Sequence, residues 1–227
     1  MAYKALAENC KAEIFILVGT NHSYGKAFSF TLEDFETPFG IAKNKKNFSL
    51  HLIEKAKKIL DASRDEEAHA REHSIEIQLP FLQFLYGKNL RIVPILVSSY
   101  NSEECKKMAS IIVKVAKQLD KKICVVASSD FTHYGLAYNF MPFTTDIKKN
   151  LYKLDEGAIK LIEKMQTKKF LLYAKKTTIC GAGSIAVAIE ICKILGSKEG
   201  ELLRYYTSGD VVGDYNSAVG YASIIFK

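Results

Sequence analysis

Three short runs of the chain are apolar at nearly every position: residues 13–19 (EIFILVG), 90–97 (LRIVPILV) and 122–128 (KICVVAS). None shows the alternation of a strand with one wet face. An unbroken apolar run that gives way to a polar turn predicts a strand buried on both faces, as in a parallel sheet covered by helices. Pro94 weakens the middle of the second run, because it has no N–H to give to a ladder. Between the second and third runs, residues 103–119 place apolar side chains at helical spacing with lysines on the other face. Asn101 and Ser102 supply the cap. Strand, helix and strand in that order make a βαβ unit.

The same spacing predicts an amphipathic helix over 48–62. Residues 74–86 (SIEIQLPFLQFLY) are apolar enough for a buried helix, bent or ended by Pro80. Helices are expected over 147–164, 167–175 and 181–195, and strands over 201–207 and 217–226. The stretch 39–47 has loop character. No internal repeat, low-complexity linker or domain boundary interrupts residues 1–227. The expected fold class is α/β, a single domain with a central, mostly parallel sheet flanked by helices.

Hydrophobic residues make up 48% and charged residues 25% of the 227 positions. These proportions exclude disordered, collagen-like and coiled-coil classes. No apolar run approaches the roughly 20 residues that span a bilayer, and the first ten residues carry no apolar signal core. A cytoplasmic protein with no membrane partner is expected. The net charge is +7. Its lysines are spread in pairs along the expected helices, with Glu and Asp among them, and there are four arginines. The excess reads as solvated helix faces, so no nucleic-acid partner is expected. Five cysteines without a CxxC pair read as reduced thiols. Cys10, Cys105, Cys124 and Cys192 are expected to be small core residues.

The five histidines can be weighed one by one. His22 follows directly on the first apolar run. Asp130 and His133 (SSDFTHYG) follow directly on the third. Loops at the carboxyl ends of parallel strands form the crevice where such sheets bind ligands, so topology alone delivers these three to one edge. A lone loop histidine is more often a surface residue, and two such loops on one edge shift the balance toward a site. His69 and His73 stand four apart and share a face if the segment is helical. His69-Ala70-Arg71-Glu72-His73 then spells H-x-x-E-H, a zinc-peptidase pattern with Glu72 as base. The pattern is short, and Asp65-Glu66-Glu67 before it suits the exposed start of a helix better than its buried middle. The competing reading turns His73 inward and leaves His69 in solvent. His51, on an amphipathic helix, reads as structural. Cys180 (TTICGAGS) stands at a helix start, where N–H groups and the dipole favour a thiolate, a metal ligand or nucleophile. The glycines that follow it point to a close approach to the backbone.

Five motifs in sequence order carry a resemblance over nearly the whole chain. They are Gly19-Thr20-Asn21-His22; Glu72-His73-Ser74-Ile75-Glu76 leading to Leu79-Pro80; Ser128-Ser129-Asp130-Phe131-Thr132-His133-Tyr134-Gly135; Ile179-Cys180-Gly181; and Tyr206-Thr207-Ser208-Gly209-Asp210 with Val219-Gly220-Tyr221-Ala222. Together they resemble the Memo family, whose prokaryotic members are called AmmeMemoRadiSam system protein B. The resemblance implies a fold like that of class III extradiol ring-cleaving dioxygenases, which use non-haem iron. Carried over by motif, it implies His22, His73 and Cys180 as metal-site residues and Asp130 and His133 as the neighbouring polar pair. His69 lies outside the motif. The family pattern opens with a further strand carrying a Pro-His-Ala-Gly-Tyr segment and then a helix. This sequence opens inside what looks like that helix (AYKALAEN). The expectation is that the native chain starts upstream of Met1; a trimmed sheet is the alternative.

Two neutral imidazoles and one anionic ligand, with open positions, form a site that activates a bound small molecule. Cys180 and Asp130 compete for the anionic place. Cys180 makes a softer centre, open to Cu or Zn as well as Fe(II), and Asp130 makes the hard facial triad. The resemblance favours His22, His73 and Cys180, with Fe(II). It implies a metal-dependent oxidoreductase that acts with dioxygen on a chelating small molecule. In that reading His133 is the general acid–base and Asp130 orients it. The alternative is a non-catalytic binding module for a phosphorylated or anionic ligand, or a copper- or iron-binding partner protein. The family name also implies a place beside a radical-SAM enzyme. The chain has no CxxxCxxC cluster motif, so the radical chemistry would belong to that partner.

Overall fold

The computed structural model describes every residue except Tyr24 and Ser99. The chain opens with α1 (Ala2–Asn9), β1 (Ile14–Thr20) and β2 (Phe28–Phe30), then a hairpin of β3 (Phe35–Thr37) and β4 (Gly40–Asn44). Next come α2 (Lys46–Ala56), β5 (Ala62–Arg64), α3 (Glu66–Ala70), α4 (Leu79–Tyr86), β6 (Arg91–Val97), α5 (Ser102–Gln118) and β7 (Ile123–Ala127). The rest is β8 (His133–Gly135), α6 (Ile147–Glu163), α7 (Thr167–Ala174), α8 (Ala182–Leu195), β9 (Gly200–Thr207), α9 (Ser208–Val212) and β10 (Ser217–Phe226).

The three apolar runs are neighbouring strands. β1 lies between β6 and β7 and is parallel to both, with Phe15 opposite Ile92 and Cys124. The main sheet runs β3-β4-β6-β1-β7, and β2 joins it antiparallel to β6 while pairing β5 on its other side. Every residue of β1 is buried. Ile14, Ile16 and Val18 enter the larger core, with Met108, Ile112 and Val115 of α5 and Ile185 and Ile189 of α8. Phe15 and Leu17 face the smaller core, with Ile75, Leu79 and Leu82. Burying such side chains is worth about 1.5–3 kcal/mol each, so each face of β1 binds the sheet to a helical layer. β8, β10 and β9 form a second, antiparallel sheet.

Pro94 sits in the interior strand β6 without breaking it. Lys45 N donates to Ile92 O, which marks the side of β6 toward β4, and the backbone groups of Pro94 point the same way because a strand alternates. Pairing with β4 stops at Ile92, and pairing with β2 starts at Ile95. The missing N–H therefore falls in the gap between two partners. Asn101 caps α5 as expected: its side chain accepts from Glu103 N and Glu104 N, and Glu104 returns the bond to Asn101 N.

Three expectations are corrected. The stretch 39–47 is not a loop: it holds β4, and Gly40 turns the hairpin at φ 97°. The helix expected over 48–62 stops at Ala56, and residue 62 opens β5. Pro80 opens α4 rather than ending a helix, since the N–H it lacks is one that a first turn leaves unbonded anyway. Nor is α4 buried all round; Phe81 is 56% and Phe84 77% exposed. Among the described residues no helix is long and apolar enough to cross a membrane.

Candidate metal centre

At its carboxyl end β1 hands the chain to Asn21 and His22, and the loop before α4 closes over this end. Ser74 Oγ donates to Thr20 O (2.9 Å). Gly19 makes the approach possible, because a Cβ there would lie 2.5 Å from Ser74 Oγ. Glu72 is the hub of this loop. Its side chain is 2% exposed. Its Oε2 accepts from His22 N (2.8 Å), and its Oε1 accepts from His73 N (2.8 Å) and Ser74 N (2.9 Å). His22 Nδ1 lies 2.9 Å from Glu72 Oε2 and His73 Nδ1 3.3 Å from Glu72 Oε1. The two rings stack, 5.3 Å apart at 12°. Burial works to raise the Glu72 carboxyl, but the N–H groups of His22 and Ser74 and the His22 ring outweigh it, so its pKa lies below the ordinary 4.5. A histidine whose Nδ1 proton is held by a carboxylate is fixed in tautomer and presents Nε2. Here the tautomer is assigned from that contact.

A second group sits at the end of the adjacent strand β7. Asp130 N donates to Cys180 Sγ (3.3 Å), and Gly181 N donates to Ser129 Oγ (2.9 Å). A Cβ on Gly181 would lie 2.5 Å from Ser129 Cβ and 2.7 Å from Ser128 O. That is the close approach the glycine signalled. His133 is held at three points: Nδ1 lies 2.9 Å from Thr178 O, its N–H donates to Thr178 Oγ1 (2.7 Å), and its carbonyl accepts from Thr178 Oγ1 (2.7 Å). Its Nε2 lies 3.4 Å from Asp130 Oδ2. That contact, with the Thr178 carbonyl behind it, outweighs burial and raises the His133 pKa above 6.5. Beneath the loop, Thr132 N and Oγ1 donate to buried Asp155, which also accepts from Tyr205 Oη (2.6 Å).

Each group brings its three ligand-type atoms within 4.8 Å of one another: His22, Glu72 and His73 in one, Asp130, His133 and Cys180 in the other. The residues expected at the site thus all lie at the ends of β1 and β7 or in loops packed on them. Within that rim His22 and His73 fall in one group and Cys180 in the other. Gln78 links the two, its Nε2 donating to Ser128 Oγ (2.8 Å). Thr20 Oγ1 and Asn21 Nδ2, both buried at the end of β1, have no hydrogen-bond partner among the described residues.

Two local expectations fail. Cys180 precedes the cap residue Gly181 of α8, and burial pushes its thiol above the ordinary 9.0 instead of favouring the thiolate. The positions of the 69–73 histidines are the reverse of the reading that turned His73 inward. His73 is 77% exposed in its side chain, whereas His69 is buried with Nε2 3.2 Å from Ser29 O. α3 ends at Ala70, so His69 and His73 share no helix face and the H-x-x-E-H pair does not form. Glu72 instead anchors the backbone N–H groups of His22, His73 and Ser74 together with the His22 ring. Thr178, Gln78 and Asp155 carried no local signal.

The structure thus defines a layered α/β protein with two groups of metal-ligand-type side chains at the carboxyl rim of its parallel strands. The family described as Memo-like protein matches residues 1–225. A MEMO1 family protein of Methanopyrus kandleri is 37% identical over 228 residues, covering 99% of this chain and 76% of the relative. Another, from Methanobrevibacter smithii, is 38% identical over 230 residues, covering 100% of this chain and 76% of the relative. The chain belongs to the Memo family. Among solved structures, an uncharacterized protein from Escherichia coli K12 superimposes with a TM-score of 0.60 at 12% identity, over 96% of this chain and 90% of that one. That likeness concerns the fold alone. The observed architecture, a mostly parallel sheet flanked by helices, agrees with the α/β fold class expected from the sequence.

Proposed function

We propose that the rim is a non-haem metal centre and that the protein is a cytoplasmic, metal-dependent oxidoreductase acting on a small molecule. The family resemblance favours Fe(II); Cu or Zn is the alternative. The observation that carries this reading is the Glu72 carboxylate, buried and facing Nδ1 of both His22 and His73. Glu72 hydrogen-bonds the His22 ring at Nδ1 and lies 3.3 Å from His73 Nδ1, which leaves the two Nε2 atoms to serve as metal donors. The anionic place falls to Cys180 or Asp130, which share the adjoining group.

When bound, Fe(II) supplies open coordination positions and one-electron chemistry. The chain's own residues supply the rest. His133 takes a proton from a substrate hydroxyl at Nε2 and returns it later. Asp130, 3.4 Å away, stabilises the imidazolium formed in between. Thr178 keeps the ring from rotating by holding Nδ1. Gly181 lets the Cys180 turn lie against Ser129, which keeps Sγ on the Asp130 side of the rim. In this reading the partners are the small-molecule ligand and, through a shared pathway, a radical-SAM enzyme.

Protein purified without oxygen and loaded with iron should hold the metal stoichiometrically by elemental analysis, with a paramagnetic resonance signal that changes on addition of a catechol. His22→Ala and Cys180→Ala should each weaken iron binding at least tenfold. Unchanged binding in both variants overturns the assignment. A protein that retains no metal and instead binds an anionic phosphopeptide tightly would be the binding module.

A further inference from the structure

The second sheet packs one face on α6 and turns the other toward the rim. Ala218 and Gly220 of β10 take the α6 side: Ala218 packs with Tyr134 and Leu151, and a Cβ on Gly220 would lie 2.2 Å from Asp155 Oδ2. Side chains alternate along a strand, so Val219, Tyr221 and Ser223 take the opposite face. Their partners share that face: His133 opposite Val219, Tyr206 opposite Tyr221, and Arg204 opposite Ser223. His133 and Tyr221 are diagonal neighbours, a separation of about 7–8 Å that aromatic side chains can bridge. His133, Tyr221, Tyr206 and Arg204 thus form a row that starts at the rim and leads away from it.

The row is aromatic and open. The Tyr206 and Tyr221 rings lie 5.6 Å apart at 42°. Tyr138 leans on the His133 ring, 5.0 Å away at 57°. Tyr138 is 40% and Tyr206 38% exposed, so neither ring is spent on the core. Arg204 closes the far end. Its side chain is exposed, and its guanidinium stands 5.5 Å over the Tyr206 ring. Arg64 and Arg71 pair with glutamates, whereas Arg204 has no carboxylate partner among the described residues. Two strand spacings, about 10 Å, separate β8 from β9 and so the two ends of the row.

Resting on the reading of His133 and Asp130 as the reactive end, we propose that this face seats the substrate and that the substrate is an elongated aromatic carboxylate. Its ring lies against Tyr221, with Tyr138 at the near edge and its hydroxyl at His133. Its carboxylate reaches Arg204. A planar ring makes offset or edge contacts with tyrosines that a saturated ring cannot make. A guanidinium takes both oxygens of a carboxylate in one fork. The row holds one fixed cation, which neutralises a carboxylate but leaves a phosphate monoester only half compensated.

The test is calorimetric titration of the whole, metal-free chain with para-hydroxycinnamate. This acid should bind saturably, and cyclohexylpropanoate, which has the carboxylate but no π face, should bind about tenfold more weakly. Arg204→Gln should weaken para-hydroxycinnamate about tenfold and leave its methyl ester unchanged, a split that a poorly folded protein cannot give. Tyr206→Leu and Tyr221→Leu should weaken acid and ester alike while keeping the circular dichroism of the parent. Equal binding of the saturated acid overturns the proposal, as does an Arg204→Gln protein that binds para-hydroxycinnamate like the parent, or a parent that does not saturate. Because no metal is present, saturable binding stands whether or not the rim holds iron. Iron retained by a chain that does not bind para-hydroxycinnamate strikes the seat and spares the metal centre.

Discussion

Glu72→Gln is the most informative single change, because it keeps shape and removes charge. Glu72 Oε1 serves His73 N and Ser74 N, and Oε2 serves His22 N and the His22 ring. A glutamine has one acceptor oxygen. With that oxygen in the place of Oε1, its NH₂ group faces two N–H donors of His22 and both of those bonds are lost. Hydrogen bonds to a charged group are worth about 1.5–3 kcal/mol each. The His22 side chain is 45% exposed and can turn to water, so the net loss is about 2–3 kcal/mol. The denaturant midpoint should fall accordingly. Metal affinity should fall about 10–100-fold, the usual cost of losing a carboxylate behind a ligating histidine. The linkage is specific too. The folded pKa of Glu72 is depressed, so its contribution is present above 4.5 and lost as the pH falls through the folded value. The variant should lose that acid-side slope. Equal midpoints, equal metal affinity and an unchanged slope would refute the anchoring role.

Other outcomes follow from the same geometry. Asp130→Asn should bring the His133 pKa back toward 6.5, read by ring-proton NMR in metal-free protein. Because the folded pKa of His133 is raised, its stabilisation is complete below 6.5 and fades as the pH rises through the folded value; the variant should lack that fade. Gly181→Ala pushes a methyl into Ser129 Cβ and Ser128 O. It should cost about 1–3 kcal/mol by thermal melting and weaken metal binding with it. Asp155→Ala orphans Thr132 N, Thr132 Oγ1 and Tyr205 Oη, and should cost about 3 kcal/mol in denaturant unfolding. Asp155→Asn, which keeps one acceptor, should cost less.

What could be foreseen divides along a physical line. Strands β1, β6 and β7 announced themselves because burial on both faces demands apolar residues throughout, a demand written in consecutive letters. α5 did so because one wet face and an Asn cap suffice to define it. β2, β5 and the β3–β4 hairpin did not. They are short, and strands of three to five residues owe their form to partners elsewhere in the chain. The site shows the same division. His22, Asp130 and His133 could be placed from strand ends alone, and the motif resemblance named His73 and Cys180. The orientation of His73 was misread because the apolar density of residues 74–86 suggested an inward face. In fact the buried group at that turn is its neighbour Glu72, drawn in by three backbone N–H groups that no side-chain pattern records. The Cys180 thiol was misjudged for a related reason, since helix-terminus arguments count the dipole and omit desolvation, and here burial outweighs it. A metal ion reverses that balance, because a thiol that coordinates the ion does so as thiolate and loses its proton to solvent. The raised thiol of the metal-free protein and a thiolate ligand in the loaded one are therefore compatible, and iron binding at Cys180 should release a proton that Cys180→Ser does not.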